Sequence, residues 1–169
     1  MRPTHLRCEY LTDPLGIDTP TPRLSWVPPF DQAAYQIKVT GLWDSGCVRS
    51  AESLHVQYAG PTLQPRRRYV WRVRCWNRRG EISAWSGPAC WTTGLAVPGW
   101  QQPQAWDQPH SATDTTMWVG GPGDSPTMVR RSFTLAHRPR QALLFATALG
   151  AYETSLNGQR VGDQVLAPE

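Results

Sequence analysis

The sequence predicts an all-β fold. Three observations carry that expectation. Tyr69 to Trp76 alternates strictly, with Tyr69, Trp71, Val73 and Cys75 on one parity and Val70, Arg72, Arg74 and Trp76 on the other. Period 2 in aromatic and β-branched residues is the strand signature. The 14 Gly and 16 Pro are spread along all 169 residues, as many short strands joined by turns require. No stretch sustains the i, i+3, i+4 apolar spacing of an amphipathic helix.

The elements follow in chain order. Leu6 to Asp18 reads as an extended lead-in ending in a Pro14-Leu15-Gly16 turn. Pro20 and Pro22 force extended backbone into Arg23-Leu24-Ser25-Trp26, a short strand with Leu24 and Trp26 on one face, ended by Pro28 and Pro29. Ala34 to Val39 is a strand with Tyr35, Ile37 and Val39 inward and Gln36 and Lys38 outward. Trp43-Asp44 leads into a turn at Ser45-Gly46. A weaker strand lies near Leu54 and Val56, before the break at Gly60-Pro61.

Leu63 to Ser86 is the centre of the first region. Tyr69, Trp71 and Val73 are expected in the core, with Leu63 plugging it from below. Arg72, Arg74, Trp76 and Trp85 are expected to form a covering ladder on the other face. Asn77-Arg78-Arg79-Gly80 supplies turn chemistry, and Ile82 to Trp91 returns as the partner strand. Tyr69, just after Leu63-Gln64-Pro65, fits a tyrosine corner, whose hydroxyl bonds back to the backbone. Strand candidates at this density, with turns about every ten residues, describe a fibronectin type III or immunoglobulin-like sandwich over residues 1–95.

Residues 96–127 differ in texture. They are rich in Pro and Gly, with Trp100 and Trp106 as anchors, and read as a linker. Patterning resumes over residues 128–169. Met128 to Leu135 alternates, Gln141 to Leu149 is a more apolar run read as a buried strand, and Asn157-Gly158 is a strong hairpin signal between Tyr152–Leu156 and Gln159–Leu166. About four strands do not complete a sandwich, so the second domain is expected to be incomplete and the chain to be a fragment or a truncated reading frame.

The net charge of +4 invites a nucleic-acid reading. The Arg cluster from Arg66 to Arg79 is interleaved with Trp71 and Trp76, which favours Arg–Trp stacking over phosphate contact. The N-terminal MRPTHLRCEYL lacks the apolar core of a leader peptide, and no run approaches a membrane span, so a cytoplasmic protein with no membrane or nucleic-acid partner is expected. Cys8, Cys47, Cys75 and Cys90 lack ligand spacing, so no metal is expected. Counting back from the turn places Cys75 opposite residue 85 and not Cys90, which argues against that disulfide. Four reduced thiols are the preferred reading.

No catalytic constellation is legible. His5, His55, His110 and His137 are isolated, and Asp44, Glu52, Glu81, Glu153 and Asp163 fall in turns or at strand ends. Nine Trp suggest stacking platforms for sugar rings. Trp26 and Trp71 fit core positions, which leaves Trp100 and Trp106 as the exposed candidates and Glu153 as a carboxylate that would contact sugar.

The segments LRCEYLTDPLGIDTPTPRLSW, AYQIKV, LWDSGCV, YVWRVRCW, ISAWS and TTGL, then VRRSFTL and GAYETSLNGQRVGDQVLAPE, resemble the N-terminal part of bacterial α-L-rhamnosidases in order and spacing. The resemblance implies a fibronectin type III-like domain followed by the start of a rhamnosidase N-terminal β-sandwich domain. It implies a glycoside hydrolase whose catalytic α/α toroid, absent from this sequence, removes terminal L-rhamnose with inversion. No catalytic residue and no cofactor is therefore expected here. The expected role is structural support, with carbohydrate binding as an accessory one. The expected partners are the catalytic domain and rhamnose-containing glycans. Two alternatives stay open: a stand-alone lectin-like sandwich, and a receptor-like module, because SAWS after an Arg/Trp strand resembles the Trp-Ser repeats of cytokine receptors.

Overall fold

The computed structural model describes residues 1–94, 128–140, 142–144 and 151–162. The chain divides into two compact units, Met1–Trp100 and Gln101–Glu169. No helix occurs among the described residues.

The first unit is a sandwich of two antiparallel sheets. One sheet has the order β1-β2-β5, with β1 at Thr4–Cys8, β2 at Arg23–Val27 and β5 at Val56–Gln57. The other has the order β4-β3-β6-β7, with β3 at Gln32–Val39, β4 at Trp43–Asp44, β6 at Arg68–Asn77 and β7 at Ala89–Thr92. This is the arrangement of a fibronectin type III or immunoglobulin-like domain. The inward parity of each strand meets in one core. Leu24, Trp26, Ile37, Val39, Leu63, Trp71, Val73 and Trp91 are fully or almost fully buried there.

Strand β6 is the longest and the best bonded. Its β3 side runs in continuous register from Ala34↔Trp76 to Val39↔Trp71. Its other side is paired regularly only at Arg68–Trp71 with β7. Beyond that, Ser83 and Ser86 take over. Each donates its backbone N–H to β6, Ser83 to the Cys75 carbonyl and Ser86 to the Val73 carbonyl, both at 2.9 Å. Each hydroxyl also accepts a backbone N–H from β6, Cys75 to Ser83 Oγ at 3.0 Å and Val73 to Ser86 Oγ at 3.1 Å. The return therefore advances three residues where β6 advances two. The strand expected over Ile82–Trp91 is corrected accordingly: only Ala89–Thr92 is regular strand, because the serine side chains replace ladder bonds before it.

Two tyrosines bond back to the backbone. Tyr69 Oη accepts the Gln64 N–H at 2.7 Å, at the corner where Leu63 enters the core. Tyr58 Oη donates to the Pro61 carbonyl at 2.8 Å. Gly60 makes that second corner possible, since a Cβ there would run into the Tyr58 ring and the Trp43 indole. Tyr69 stacks on Trp91, whose ring meets Tyr58 edge-on, and Tyr58 meets Trp43 in the same way.

The lead-in is more structured than expected. Thr4–Cys8 is β1, and Glu9, Tyr10 and Asp13 take left-handed φ to turn the chain out of it. Residues 14–17 then run beside β7, where Thr92 N donates to the Pro14 carbonyl and Ile17 N to the Thr92 carbonyl, both at 2.9 Å. This contact covers the free edge of β7. Glu9 and Arg23 tie the lead-in to β2: Arg23 Nη2 reaches Glu9 Oε2 at 2.6 Å, and the Arg23 backbone N–H donates to Glu9 Oε1. The Leu54–Val56 strand is shorter than expected, being confined to Val56–Gln57, with Leu54 exposed.

In the second unit the described regular structure is one hairpin, β8 at Ser155–Leu156 and β9 at Gln159–Arg160. Asn157 and Gly158 form its turn, both with positive φ, as an Asn-Gly type I′ turn requires. The alternating stretch Met128–Leu135 is not a strand. It is irregular and exposed throughout, and no strand among the described residues pairs with it. Residues 142–144 are likewise irregular and exposed, and the rest of the expected 141–149 strand lies outside the described residues.

The bonds described here set three expected outcomes. Tyr69→Phe removes the bond to Gln64 and is expected to cost about 1 kcal/mol or somewhat more, read as a lower denaturation midpoint. Ser86→Ala strands the buried Val73 N–H and is expected to cost about 1–3 kcal/mol by Trp fluorescence during urea unfolding; an unchanged midpoint would show that the hydroxyl bond is dispensable. Glu9 is held below the usual carboxylate range, mainly by the side-chain bond from Arg23. Its stabilisation is therefore complete above the ordinary glutamate pKa and lost as pH falls through the depressed value. In Glu9→Gln the acid limb of the stability profile should flatten.

Candidate functional site

The outer face of β6 carries the polar chemistry of the sandwich. Arg74 lies over Trp76 at 5.0 Å and over Trp85 at 4.8 Å from the ring centroids. Trp85 reaches Arg74 because the serine-bonded return brings it there. Arg74 Nε donates to Gln36 Oε1 at 2.8 Å, and Gln36 Nε2 donates to Asp44 Oδ1 at 2.6 Å. The same oxygen accepts the Gly46 N–H at 2.9 Å. These bonds, that from Gln36 first, hold the Asp44 carboxyl below the usual range. Arg72 stands apart from this stack. It is exposed and sits directly opposite Lys38 on β3. Of the four residues expected to form a ladder, Arg74, Trp76 and Trp85 come together, and no ring contact of Arg72 is found among the described residues.

The inward parity places Tyr69 and Trp71 in the core, Trp71 without solvent contact. Sequence parity did not single out Trp91, which is equally buried. Its position opposite Tyr69 in the β6–β7 register is the signal that identifies it.

A shallow pocket of about 390 Å³ opens beside β7, lined by Asp13, Arg68, Val70, Pro88, Ala89 and Cys90. Its polar groups are already engaged with one another. Arg68 Nη2 donates to Cys90 Sγ at 3.2 Å, and the Cys90 N–H donates to Asp13 Oδ1 at 2.7 Å. The lining holds one carboxylate, whereas glycoside hydrolysis by the common routes uses two facing each other across the bond.

The remaining candidates are dispersed. Glu153, beside the β8–β9 hairpin, is exposed and lies 3.6 Å from Arg160 Nε. Trp100 and Trp106 lie outside the described residues. No group of three His, Cys, Asp or Glu that would hold a metal occurs among the described residues. All four cysteines are free thiols. Burial pushes Cys8 up to about 12 and Cys75 up to about 11, so neither is a nucleophile near neutral pH. Cys75 lies in the serine-bonded part of the hairpin and Cys90 is paired with Val70, which separates the two along β6.

Comparison with known proteins matches both parts of the chain. Residues 3–97 match the model of the Rha78A-like N-terminal immunoglobulin domain, and residues 137–169 match that of the alpha-L-rhamnosidase N-terminal domain. An alpha-L-rhamnosidase of Streptomyces avermitilis is 34% identical over 95% of this chain and 18% of its own length. One from Alteromonas is 30% identical over 95% of this chain and 19% of its own. Among solved structures, the Streptomyces avermitilis alpha-L-rhamnosidase complexed with L-rhamnose superimposes with a TM-score of 0.53, at 45% identity over 56% of this chain and 11% of that one. The Aspergillus terreus alpha-L-rhamnosidase gives 0.55 at 25% identity, covering 98% of this chain and 20% of that one. The chain thus spans about a fifth of the length of the curated relatives it matches. With more than half of its residues on one family model, and with the sandwich topology that goes with it, the chain belongs to the Rha78A-like N-terminal immunoglobulin domain family of the alpha-L-rhamnosidases.

Proposed function

We propose that the chain is the non-catalytic N-terminal part of an α-L-rhamnosidase, a glycoside hydrolase that releases terminal L-rhamnose, and that its sandwich gives structural support to a catalytic domain. The observation that carries this reading is the succession of the two family matches in one chain, the immunoglobulin-like domain first and the rhamnosidase N-terminal domain second. The chemistry agrees with it. The polar groups that cluster on the sandwich are bonded to each other, and the pocket beside β7 offers a single, already engaged carboxylate.

Contact with rhamnose-containing glycans through Trp100, Trp106 and Glu153 is the finer part of the proposal. It rests on residue chemistry: indole faces stack on sugar CH groups, and the carboxylate of Glu153 beside Arg160 offers planar polar groups to hydroxyls. A cytoplasmic location also belongs to it, supported by four unpaired thiols. The receptor-like alternative rested on SAWS. The backbone bonds of Ser83 and Ser86 account for that motif without a receptor role.

The purified chain is expected to give no turnover of an aryl α-L-rhamnoside; turnover above background would overturn the non-catalytic reading. Support and binding separate in a second experiment. Deleting the corresponding segment from the Streptomyces avermitilis relative is expected to lower its thermal stability, with kcat on a small aryl rhamnoside unchanged in the folded fraction. Unchanged stability with a raised KM on a polymeric glycan would replace support by binding.

A further inference from the structure

We propose that Asn157, in the β8–β9 turn, is a self-modification site whose carboxamide converts to aspartate and isoaspartate by attack of the Gly158 backbone nitrogen. Three features of the hairpin point there. Gly158 has no side chain to shield its nitrogen, and the space where a Cβ would stand is empty. The Asn157 side chain is exposed and has no hydrogen-bond partner among the described residues. Among the described residues the hairpin has the rungs Ser155↔Arg160 and Leu156↔Gln159, all four residues exposed, and one more backbone bond from the Val161 N–H to the Thr154 carbonyl at 2.8 Å. Attack requires the turn to open so that the Gly158 nitrogen swings onto Asn157 Cγ. The turn end of the hairpin is solvent-exposed on all four rung residues, and such an end frays at little cost.

The step balances without any redox partner. The Gly158 nitrogen gives up its proton to solvent base and forms a bond to Asn157 Cγ. The Cγ–Nδ2 bond breaks, and Nδ2 leaves as ammonia with a proton from water. The product is a five-membered imide. Water then opens either of its carbonyls. Opening at the backbone nitrogen's bond to Cγ restores the chain with an ordinary aspartate at position 157. Opening at the other bond leaves the chain running through the side-chain carbon as isoaspartate. The two products differ in consequence. Asp-Gly keeps the preference for a type I′ turn. Isoaspartate lengthens the backbone inside a two-residue turn and breaks the β8–β9 register.

Asn77 is the internal comparison. It also sits in a turn, but the next residue is Arg78, and its amide is held on both sides. Its Nδ2 donates to Glu81 Oε2 at 2.6 Å, and its Oδ1 accepts the backbone N–H groups of Arg79 and Glu81, both at 2.9 Å.

The test is incubation of the intact chain at mildly alkaline pH, followed by peptide mapping with mass spectrometry and enzymatic methylation of isoaspartate. Most of Asn157 is expected to gain the mass of amide-to-acid conversion, with isoaspartate present, while Asn77 stays amide. In ¹⁸O-water each conversion should incorporate one heavy oxygen. Asn157→Gln, which would need a six-membered ring, should abolish the conversion. The proposal is overturned if Asn157 remains amide in the folded chain while the excised hairpin peptide converts, or if Asn77 converts as fast. Conversion to aspartate alone would also overturn it, because that outcome excludes the imide. None of these results depends on whether the chain belongs to an active rhamnosidase.

Discussion

The constraint on which the sandwich depends is the double-sided hydrogen bonding of β6. A strand buried in the middle of a sheet must have its N–H and C=O groups paired on both edges, because a stranded buried donor costs about 1–3 kcal/mol. On the β3 edge, ordinary antiparallel pairing does this. On the other edge the return segment diverges from strand geometry, and Ser83 and Ser86 close the gap by using backbone and hydroxyl together. The irregular return is what moves Trp85 across the face to lie on Arg74. The cation–π stack is thus a consequence of the backbone solution, and it covers the ladder from solvent.

Beneath that sheet the core is aromatic. Trp26, Trp71 and Trp91 are all buried, but their indole N–H groups fare differently. Trp26 Nε1 donates to Gln32 Oε1 at 2.9 Å, and buried Gln32 passes its own amide protons to the Ser50 and Glu52 carbonyls. The N–H groups of Trp71 and Trp91 have no partner among the described residues. Unpaired buried donors are uncommon. The area that each ring removes from water, and the stacking of Trp91 on Tyr69, offset the lost bonds.

Much of this was legible because it depends on parity. Alternation alone placed Tyr69, Trp71, Val73 and Cys75 inside, and Leu24, Trp26, Ile37 and Val39 with them. Chemistry at fixed spacing also read correctly, as the Tyr69 bond to Gln64 and the Asn157-Gly158 turn show. What parity cannot give is the partner. It put Arg72 and Arg74 on the same face, but only Arg74 lies where the serine-bonded return delivers a second Trp. It made Met128–Leu135 look like a strand, yet alternation becomes a strand only when a neighbour takes up its backbone groups. The lead-in escapes parity for the opposite reason. Its strand and edge contacts are made through main-chain atoms of Thr4–Cys8 and residues 14–17, with left-handed turns at Glu9, Tyr10 and Asp13 that no side-chain pattern announces.

Whether a surface binds or supports depends on what its polar groups are free to do. A sugar-binding face needs donors and acceptors that are exposed, oriented and not yet committed, because recognition of a hydroxyl competes with every bond already made. On the β6 face Arg74 is committed to Gln36 and to two indoles, Gln36 to Asp44, and Asp44 to Gly46. In the pocket beside β7, Asp13 and Arg68 are both committed to Cys90. A ligand would have to break these bonds before gaining its own. Internally saturated polarity of this kind fixes shape and leaves little for recognition, which suits the supporting role proposed for this domain.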